Sequence, residues 1–135
     1  MQPQPTLQPI HRRTLAWTLA CLVLFFCTGC PKPLSPEHTA AVAKMQGVGG
    51  KVVFADGGYR VNMRMSNLED GDIPKMNQIE NLKIADLTDT RVSDKGLVEL
   101  AKIKTLNRVM LTGTLTTIEG REQLKKSRPD IVVIY

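Results

Sequence analysis

The sequence predicts an α/β fold, a short solenoid of about three strand–helix units of 24 residues each. When the 135-residue chain is compared with itself at an offset of 24, apolar and hydroxyl residues align over three blocks. Each block begins with the period-two alternation of a strand and continues with apolar residues at the spacing of a helical face. Because one unit cannot bury its apolar side alone, we expect the units to stack, with a parallel sheet on one side and helices on the other.

Residues 1–29 have the composition of a targeting segment. A polar start containing Arg12 and Arg13 precedes an uninterrupted run of apolar and small residues over 14–28. A positive region followed by a short apolar core is typical of a secretory signal peptide. Because the run is shorter than the roughly 20 residues that span a bilayer comfortably, a signal peptide is favoured. A retained short anchor and a buried helix stay open as alternatives.

The apolar run ends in Cys27-Thr28-Gly29-Cys30, which resembles the lipobox of bacterial lipoproteins. The resemblance implies that Cys30 is lipidated and becomes the new N-terminus, although Cys27 stands where lipoproteins usually have Leu. No cysteine follows Cys30, so no disulfide framework is expected. Residues 30–36 thus contain the lipidation site and a Pro-rich tether that ends at residue 36. Together they predict an exported protein that a lipid anchor holds on a membrane of the cell envelope.

The domain predicted over residues 37–135 begins with a helix. Ser35 is the predicted N-cap of this helix, and the glycine-rich residues 47–50 are its predicted end. The helix carries His38, the single histidine after the targeting segment. A packed or solvated histidine is favoured there over a metal ligand, because no second His or Cys is present to complete a site.

A β-hairpin is predicted after this helix. Two β-prone runs, residues 51–55 and 59–63, flank Asp56-Gly57-Gly58, which predicts a hairpin with a three-residue loop. We expect the helix and the hairpin together to close the N-terminal end of the solenoid, since the ends of a repeat array must be capped.

The repeated units are clearest in the middle block, residues 82–103. Ser93 with Asp94 predicts the start of its helical segment, and Asp70 predicts the same start one block earlier. Residues 131–135 predict a final edge strand, reached after one extra residue. An exposed edge strand of this kind is able to pair with a second copy of the chain, giving an edge-strand homodimer.

The segment Thr90-Arg91-Val92-Ser93-Asp94-Lys95-Gly96-Leu97 resembles the repeats of planctomycete-type leucine-rich repeat lipoproteins of bacteria. The resemblance covers about residues 60–135. It is weaker at both ends, where Gly58, Arg121 and Ser127 replace apolar residues. It implies a leucine-rich repeat domain that recognises a protein or another ligand. In such repeats the hydroxyl groups at one fixed position are implied to satisfy backbone groups of the turn; here they belong to Ser66, Thr90 and Thr114.

The outward side of the predicted strands is the candidate binding surface. Alternation turns the neighbours of the inward residues toward solvent. The resulting set is Arg60, Asn62, Arg64, Ile84, Asp86, Thr88, Arg108, Met110 and Thr112. Arginine and methionine favour interfaces, which supports a recognition surface. An ordinary solvated face, on which the arginines keep the sheet soluble, stays open.

The remaining composition argues against several functional classes. Aromatic residues make up 4% of the chain, and removing residues 1–29 takes two charges from the formal +5, so nucleic acid is not an expected partner. No nucleophile–histidine–acid set can be assembled, and the numerous aspartates are expected to cap helices and solvate turns rather than to bind metal. We therefore expect no enzyme and no cofactor, although an accessory role beside an enzyme stays open.

These observations favour a non-catalytic module that recognises a protein or another ligand and is displayed on the cell envelope by its lipid anchor. The alternative is a structural envelope component whose basic sheet face binds an anionic polymer or membrane headgroups.

Overall fold

The structure is a computed structural model that describes residues 34–135, which form one compact unit. The predicted signal peptide, Cys30 and most of the tether lie outside the described residues. The helices are α1 Pro36–Gly47, α2 Ile73–Met76, α3 Asp94–Ala101 and α4 Ile118–Ser127, with a 3₁₀ turn Asp70–Asp72 before α2. The strands are β1 Lys51–Ala55, β2 Gly58–Asn62, β3 Leu82–Asp86, β4 Arg108–Met110 and β5 Val132–Ile134.

The five strands form one mixed sheet in the order in which they occur in the chain. β1 and β2 are antiparallel, and every later neighbour is parallel. Val61 pairs with Ala85, Ala85 with Val109, and Val109 with Val133, so each parallel strand lies 24 residues after its neighbour. The prediction of an α/β fold is confirmed. The extra residue predicted before the last strand is wrong, because β5 keeps the same offset.

The hairpin loop contains two residues rather than the predicted three. Asp56 and Gly57 both have positive φ angles, 52° and 73°, which is the conformation of a two-residue turn that matches the twist of the strands. Gly58 belongs to β2 and is buried. A Cβ atom at Gly58 would lie 2.8 Å from the carbonyl oxygen of Asn81, so the close approach of the next loop requires glycine there.

The core lies between the sheet and the row of helices. The residues predicted to point inward from the strands are all buried: Val61, Met63, Ala85, Leu87, Val109 and Leu111. The helices contribute side chains at the three-residue spacing seen in the sequence, such as Leu97 and Leu100 of α3. Met45 of α1 and Met76 of α2 are also fully buried and complete this layer at the N-terminal end.

α1 and α3 start at the capping residues predicted for them, Ser35 and Ser93, whereas Asp70 is the first residue of its 3₁₀ turn and not its cap. The hydroxyl of Ser35 accepts a hydrogen bond from the backbone N–H of His38, and Pro36 occupies the first helical position of α1. The hydroxyls of Ser93 and Thr117 cap α3 and α4 in the same way. These caps satisfy backbone donors that have no partner within a helix.

The predicted role of the repeated hydroxyl position is confirmed at two of its three members. The hydroxyls of Thr90 and Thr114 each donate to the carbonyl oxygen three residues earlier, at 2.7 Å in both cases. At the third member, Ser66, the buried Oγ has no hydrogen-bond partner among the described residues. The implied structural role of this position therefore fails at Ser66.

Candidate functional site

The candidate site is the side of the sheet that faces away from the helices, called the sheet face below. Its central row runs across all five strands at one level of the register. The row consists of Val53, Arg60, Ile84, Arg108 and Val132. Apolar and basic side chains therefore alternate along a line, with neighbours about 4.8 Å apart. Ile84 is half-buried between the two exposed arginines.

Two members of this row, Val53 and Val132, were missing from the set predicted from the sequence. Both are exposed, at 44% and 52%. The strands that carry them were predicted, and extending the period-two alternation into those strands would have placed both residues on the sheet face.

A second row crosses the sheet two residues later on the parallel strands and two residues earlier on the antiparallel strand β1. It consists of Lys51, Asn62, Asp86, Met110 and Ile134. Met110 is half-buried and Ile134 is 42% exposed, so the second row is apolar where it crosses β4 and β5. In the same row, the residues of β1 and β2, Lys51 and Asn62, are polar or basic.

The prediction that Thr88 lies on the exposed face is wrong, because this residue is only 8% exposed. β3 ends at Asp86, and the chain then turns. The Thr88 backbone N–H and hydroxyl both donate to Oδ1 of Asp86, at 3.0 and 2.6 Å. Strand alternation does not apply beyond the strand end, where this local turn directs the side chain instead.

The same turn occurs at the end of β2. The side-chain oxygen of Asn62 accepts a hydrogen bond from the backbone N–H of Arg64 at 3.0 Å. Asn62 and Asp86 therefore shape the ends of their strands, while Arg64 and Thr112 project as exposed residues beyond β2 and β4. We assign the polar members of the second row a mainly structural role.

The arginines of the sheet face differ in their partners. Arg60 forms an ion pair with Asp56 of the hairpin turn. Within residues 34–135, no hydrogen bond or ion pair engages the guanidinium group of Arg64 or Arg108. Arg108 is thus an uncompensated cation at the centre of the apolar and basic row.

Arg108 borders an open groove of about 600 Å³ on the sheet face. The groove is lined by Asp56, Arg60, Lys83, Ile84, Asn107, Arg108, Asp130 and Val132. Asp130 is held by the guanidinium of Arg128, which donates to Oδ1 at 2.9 Å and to Oδ2 at 2.7 Å. These hydrogen bonds lower the pKa of Asp130, so its carboxylate stays charged and paired.

His38 is buried, which confirms the packed alternative for this residue. Its Nδ1 accepts a hydrogen bond from the backbone N–H of Glu80 at 2.9 Å. Its ring lies 4.5 Å from the ring of Tyr59. The imidazole therefore joins α1 to the loop before β3 and to the hairpin.

The aspartates in the repeated turns also have defined partners. The carboxylate of Asp70 accepts hydrogen bonds from the backbone N–H and hydroxyl of Ser93. Asp94 accepts the equivalent pair from Thr117. Each carboxylate therefore supports the helix cap of the following unit. Among residues 34–135, no cluster of three or more His, Cys, Asp or Glu side chains is arranged to hold a metal ion.

In the described part of the chain, every helix is too short or too polar to cross a bilayer. Comparison of the chain with protein-family models, with curated proteins and with solved structures found no match.

Proposed function

We propose that this chain is a non-catalytic recognition module of the cell envelope and that its sheet face binds a protein partner. The observation that carries the proposal is the row of alternating apolar and basic side chains that contains Arg60, Ile84 and Arg108. Arginine combines a charged, planar donor group with an aliphatic stem, and interfaces are enriched in it. The free guanidinium of Arg108 is available to a partner without breaking an existing ion pair.

The proposed fold family is the leucine-rich repeat lipoproteins. The parallel strands lie at a constant 24-residue offset, and β2, β3 and β4 are each followed by a helix, which supports this assignment. The turn hydroxyls of Thr90 and Thr114 support it as well, since they occupy equivalent positions and make equivalent hydrogen bonds. In this proposal the hairpin and α1 form the N-terminal cap of the repeat array.

Crosslinking and mass spectrometry on native envelopes test the recognition proposal. Wild type is compared with a variant in which Arg60, Arg64 and Arg108 are changed to Ala. The matched control changes three exposed lysines of the helical side to Ala: Lys75, Lys95 and Lys126. All proteins must be present at equal amounts. We expect wild type and the control to capture the same discrete protein and the sheet-face variant to lose it; capture that survives in the sheet-face variant contradicts the proposal.

The alternative is a structural component that holds an anionic polymer or membrane headgroups. Lys51 and Arg64 add further positive charge to the sheet face and favour this possibility. Binding of that type weakens steeply with rising salt, because it depends on exposed charges. Capture of one protein that persists at high salt separates the recognition module from the structural component.

Lipid anchoring through Cys30 is part of the proposal and has its own test. Metabolic labelling with an alkyne fatty acid is compared between wild type and Cys30→Ser. Loss of the label in the variant supports anchoring, whereas unchanged labelling rejects it.

A homodimer through β5 is also proposed. This strand lies at the edge of the sheet, and its backbone groups on the outer side are free to pair with a second copy. Sedimentation at increasing concentration tests the dimer, and a concentration-independent monomer contradicts it.

A further inference from the structure

The groove on the sheet face contains two aliphatic side chains with a cation between them. Ile84 and Val132 lie on either side of Arg108 in the register of the sheet. Since neighbouring strands are about 4.8 Å apart, the two aliphatic side chains are separated by about 9.6 Å with the arginine between them. A group that reaches the Arg108 guanidinium must therefore also lie against aliphatic surface.

The charges that line the groove leave it electropositive. The two acids at its border are already paired, Asp56 with Arg60 and Asp130 with Arg128. Neither Lys83 nor Arg108 has an ion-pair partner within the described residues. The missing partner of such a groove is an anion, and a planar guanidinium favours a carboxylate, which it binds with two parallel hydrogen bonds.

The aliphatic flanks favour a peptide over an anionic polymer or a headgroup. An extended peptide presents side chains on one face at intervals of about 6.6 Å, so an acidic side chain can have an apolar side chain on each side. The spacing of side chains along the peptide differs from the spacing of neighbouring strands in the sheet. Long side chains such as those of Glu and Arg can bridge this difference. A polyanion without apolar side chains would leave Ile84 and Val132 uncovered.

Building on the proposed recognition function, we propose that this groove binds an extended peptide segment of a partner protein, in which an acidic side chain lies between aliphatic side chains. The carboxylate binds Arg108, and the aliphatic side chains cover Ile84 and Val132. Lys83, at the start of the groove, adds long-range attraction for the acidic segment.

Fluorescence anisotropy with the full-length chain in detergent tests this proposal. The probe is a fluorescein-labelled seven-residue peptide with Leu, Glu and Leu at positions 2, 4 and 6, which share one face of an extended chain, and Thr at the other positions. Matched peptides carry Gln in place of Glu, or Ser in place of Leu. The protein variants are Arg108→Gln, Val132→Thr, which replaces a methyl by a hydroxyl, and Lys95→Gln as the charge control outside the sheet face.

We expect wild type and Lys95→Gln to bind the Glu–Leu peptide equally. Arg108→Gln should weaken binding by about tenfold or more, since a charge-assisted hydrogen bond is lost. Val132→Thr and the Ser-containing peptide should each weaken it by a smaller factor. Equal affinity for the Glu and Gln peptides, or no effect of Arg108→Gln, overturns the acidic peptide as ligand. Equal affinity for the Leu and Ser peptides overturns the aliphatic contact and favours a plain polyanion.

The result separates this proposal from the broader one. If no peptide binds but envelope capture still depends on the sheet-face arginines, the sheet face recognises a protein and the acidic peptide is the wrong ligand class. If neither peptide binding nor envelope capture depends on those arginines, both proposals fail.

Discussion

The carboxylate of Asp94 accepts two hydrogen bonds from Thr117, one from its backbone N–H at 2.8 Å and one from its hydroxyl at 2.7 Å. The Thr117 hydroxyl in turn accepts from the backbone N–H of Gly120 and caps α4. Asp70 and Ser93 repeat the arrangement one unit earlier, with 2.7 and 2.6 Å. Each acid therefore orients the cap of the next helix, which links successive units by a contact outside the apolar core.

Replacing Asp94 by Ala should destabilise the protein through the cap of the following unit. Two charge-assisted hydrogen bonds are lost, and we expect the free energy of unfolding to fall by about 1.5–3 kcal/mol. Urea denaturation measures the change. A double-mutant cycle with Thr117→Ala should show a strong coupling between the two residues. Glu122→Gln, an exposed helical change, is the control; additive effects of Asp94→Ala and Thr117→Ala would contradict the link.

Gly120 should not tolerate a side chain, although alanine is the better helix former. A Cβ atom there would lie 2.2 Å from Oδ1 of Asp94. We expect Gly120→Ala to destabilise by about 1–3 kcal/mol, because the acid must leave its position over the helix. The control is Gly47→Ala at the end of α1, where no atom lies within 4 Å of the added Cβ. That change should be neutral or stabilising by up to about 1 kcal/mol, and equal effects of both substitutions in urea denaturation would disprove the clash.

The repeat in the sequence was sufficient to predict the register of β2, β3 and β4, although not that of β5, and the reason is physical. Inward residues such as Val61, Ala85 and Val109 must all be buried against one core, and this requirement leaves a periodic apolar pattern. The partner of Asp94 could not be predicted in the same way. The hydrogen bonds of Asp94 join residues 23 positions apart in the chain, and they exist only once the units are stacked. From the neighbouring sequence alone, the acid is assigned to the start of its own helix.

Strand alternation predicted which residues of the candidate site are exposed within the strands, but not beyond the strand ends. Alternation correctly placed Arg60 and Arg108 on the exposed side, because both lie within strands. It failed at Thr88, which follows the strand and turns back onto Asp86. The groove beside Arg108 also depends on Asp130, whose pairing with Arg128 is a tertiary contact that no sequence period contains.

Substitution of Arg128 should lower the stability of the protein more than substitution of most other residues near the surface. Its guanidinium donates to the carbonyl oxygens that end α3 and lead into β4; these belong to Ala101, Ile103, Lys104 and Leu106. Lysine cannot reproduce this fork of donors. We expect Arg128→Lys to lower the free energy of unfolding by about 1–3 kcal/mol, because carbonyl groups that are mostly part-buried lose their partners.

The control for Arg128→Lys is the same substitution at Arg91. The Arg91 side chain is 72% exposed and lies 3.6 Å from a carboxylate oxygen of Glu69. An exposed ion pair of this kind contributes little, so Arg91→Lys should change the free energy of unfolding by less than about 0.5 kcal/mol. Thermal or urea denaturation that shows equal effects at Arg91 and Arg128 would reject the capping role of Arg128.

Ser66 offers a contrast with its repeat equivalent Thr90. Its buried Oγ has no partner, so removing the hydroxyl with Ser66→Ala should leave stability unchanged or slightly higher. Thr90→Val keeps the shape but removes the hydrogen bond to the carbonyl oxygen of Leu87, and should cost about 1–2 kcal/mol. Both are measured by urea denaturation, and a larger loss for Ser66→Ala than for Thr90→Val would show that the Ser66 hydroxyl has a partner after all.

The pairing of Asp130 with Arg128 should appear in the acid dependence of stability. The hydrogen bonds from Arg128 lower the pKa of Asp130 from its ordinary value of 3.8. A carboxyl group whose pKa is lower in the folded state binds fewer protons there than in the unfolded state. Its stabilising contribution is therefore complete above the unfolded-state pKa and is lost as the pH falls through the folded-state pKa.

Asp130→Asn tests this dependence directly. The difference in unfolding free energy between wild type and variant should be constant above about pH 5 and should shrink as the pH falls below about 4. Urea denaturation across this range measures it, and NMR titration of the Asp130 carboxyl carbon gives the folded-state pKa. Glu122→Gln, which neutralises an exposed carboxylate that makes no hydrogen bond or ion pair within the described residues, should show no comparable trend. A difference that is independent of pH, or an Asp130 pKa at or above 3.8, would mean that Arg128 does not hold the charged carboxylate in the folded protein.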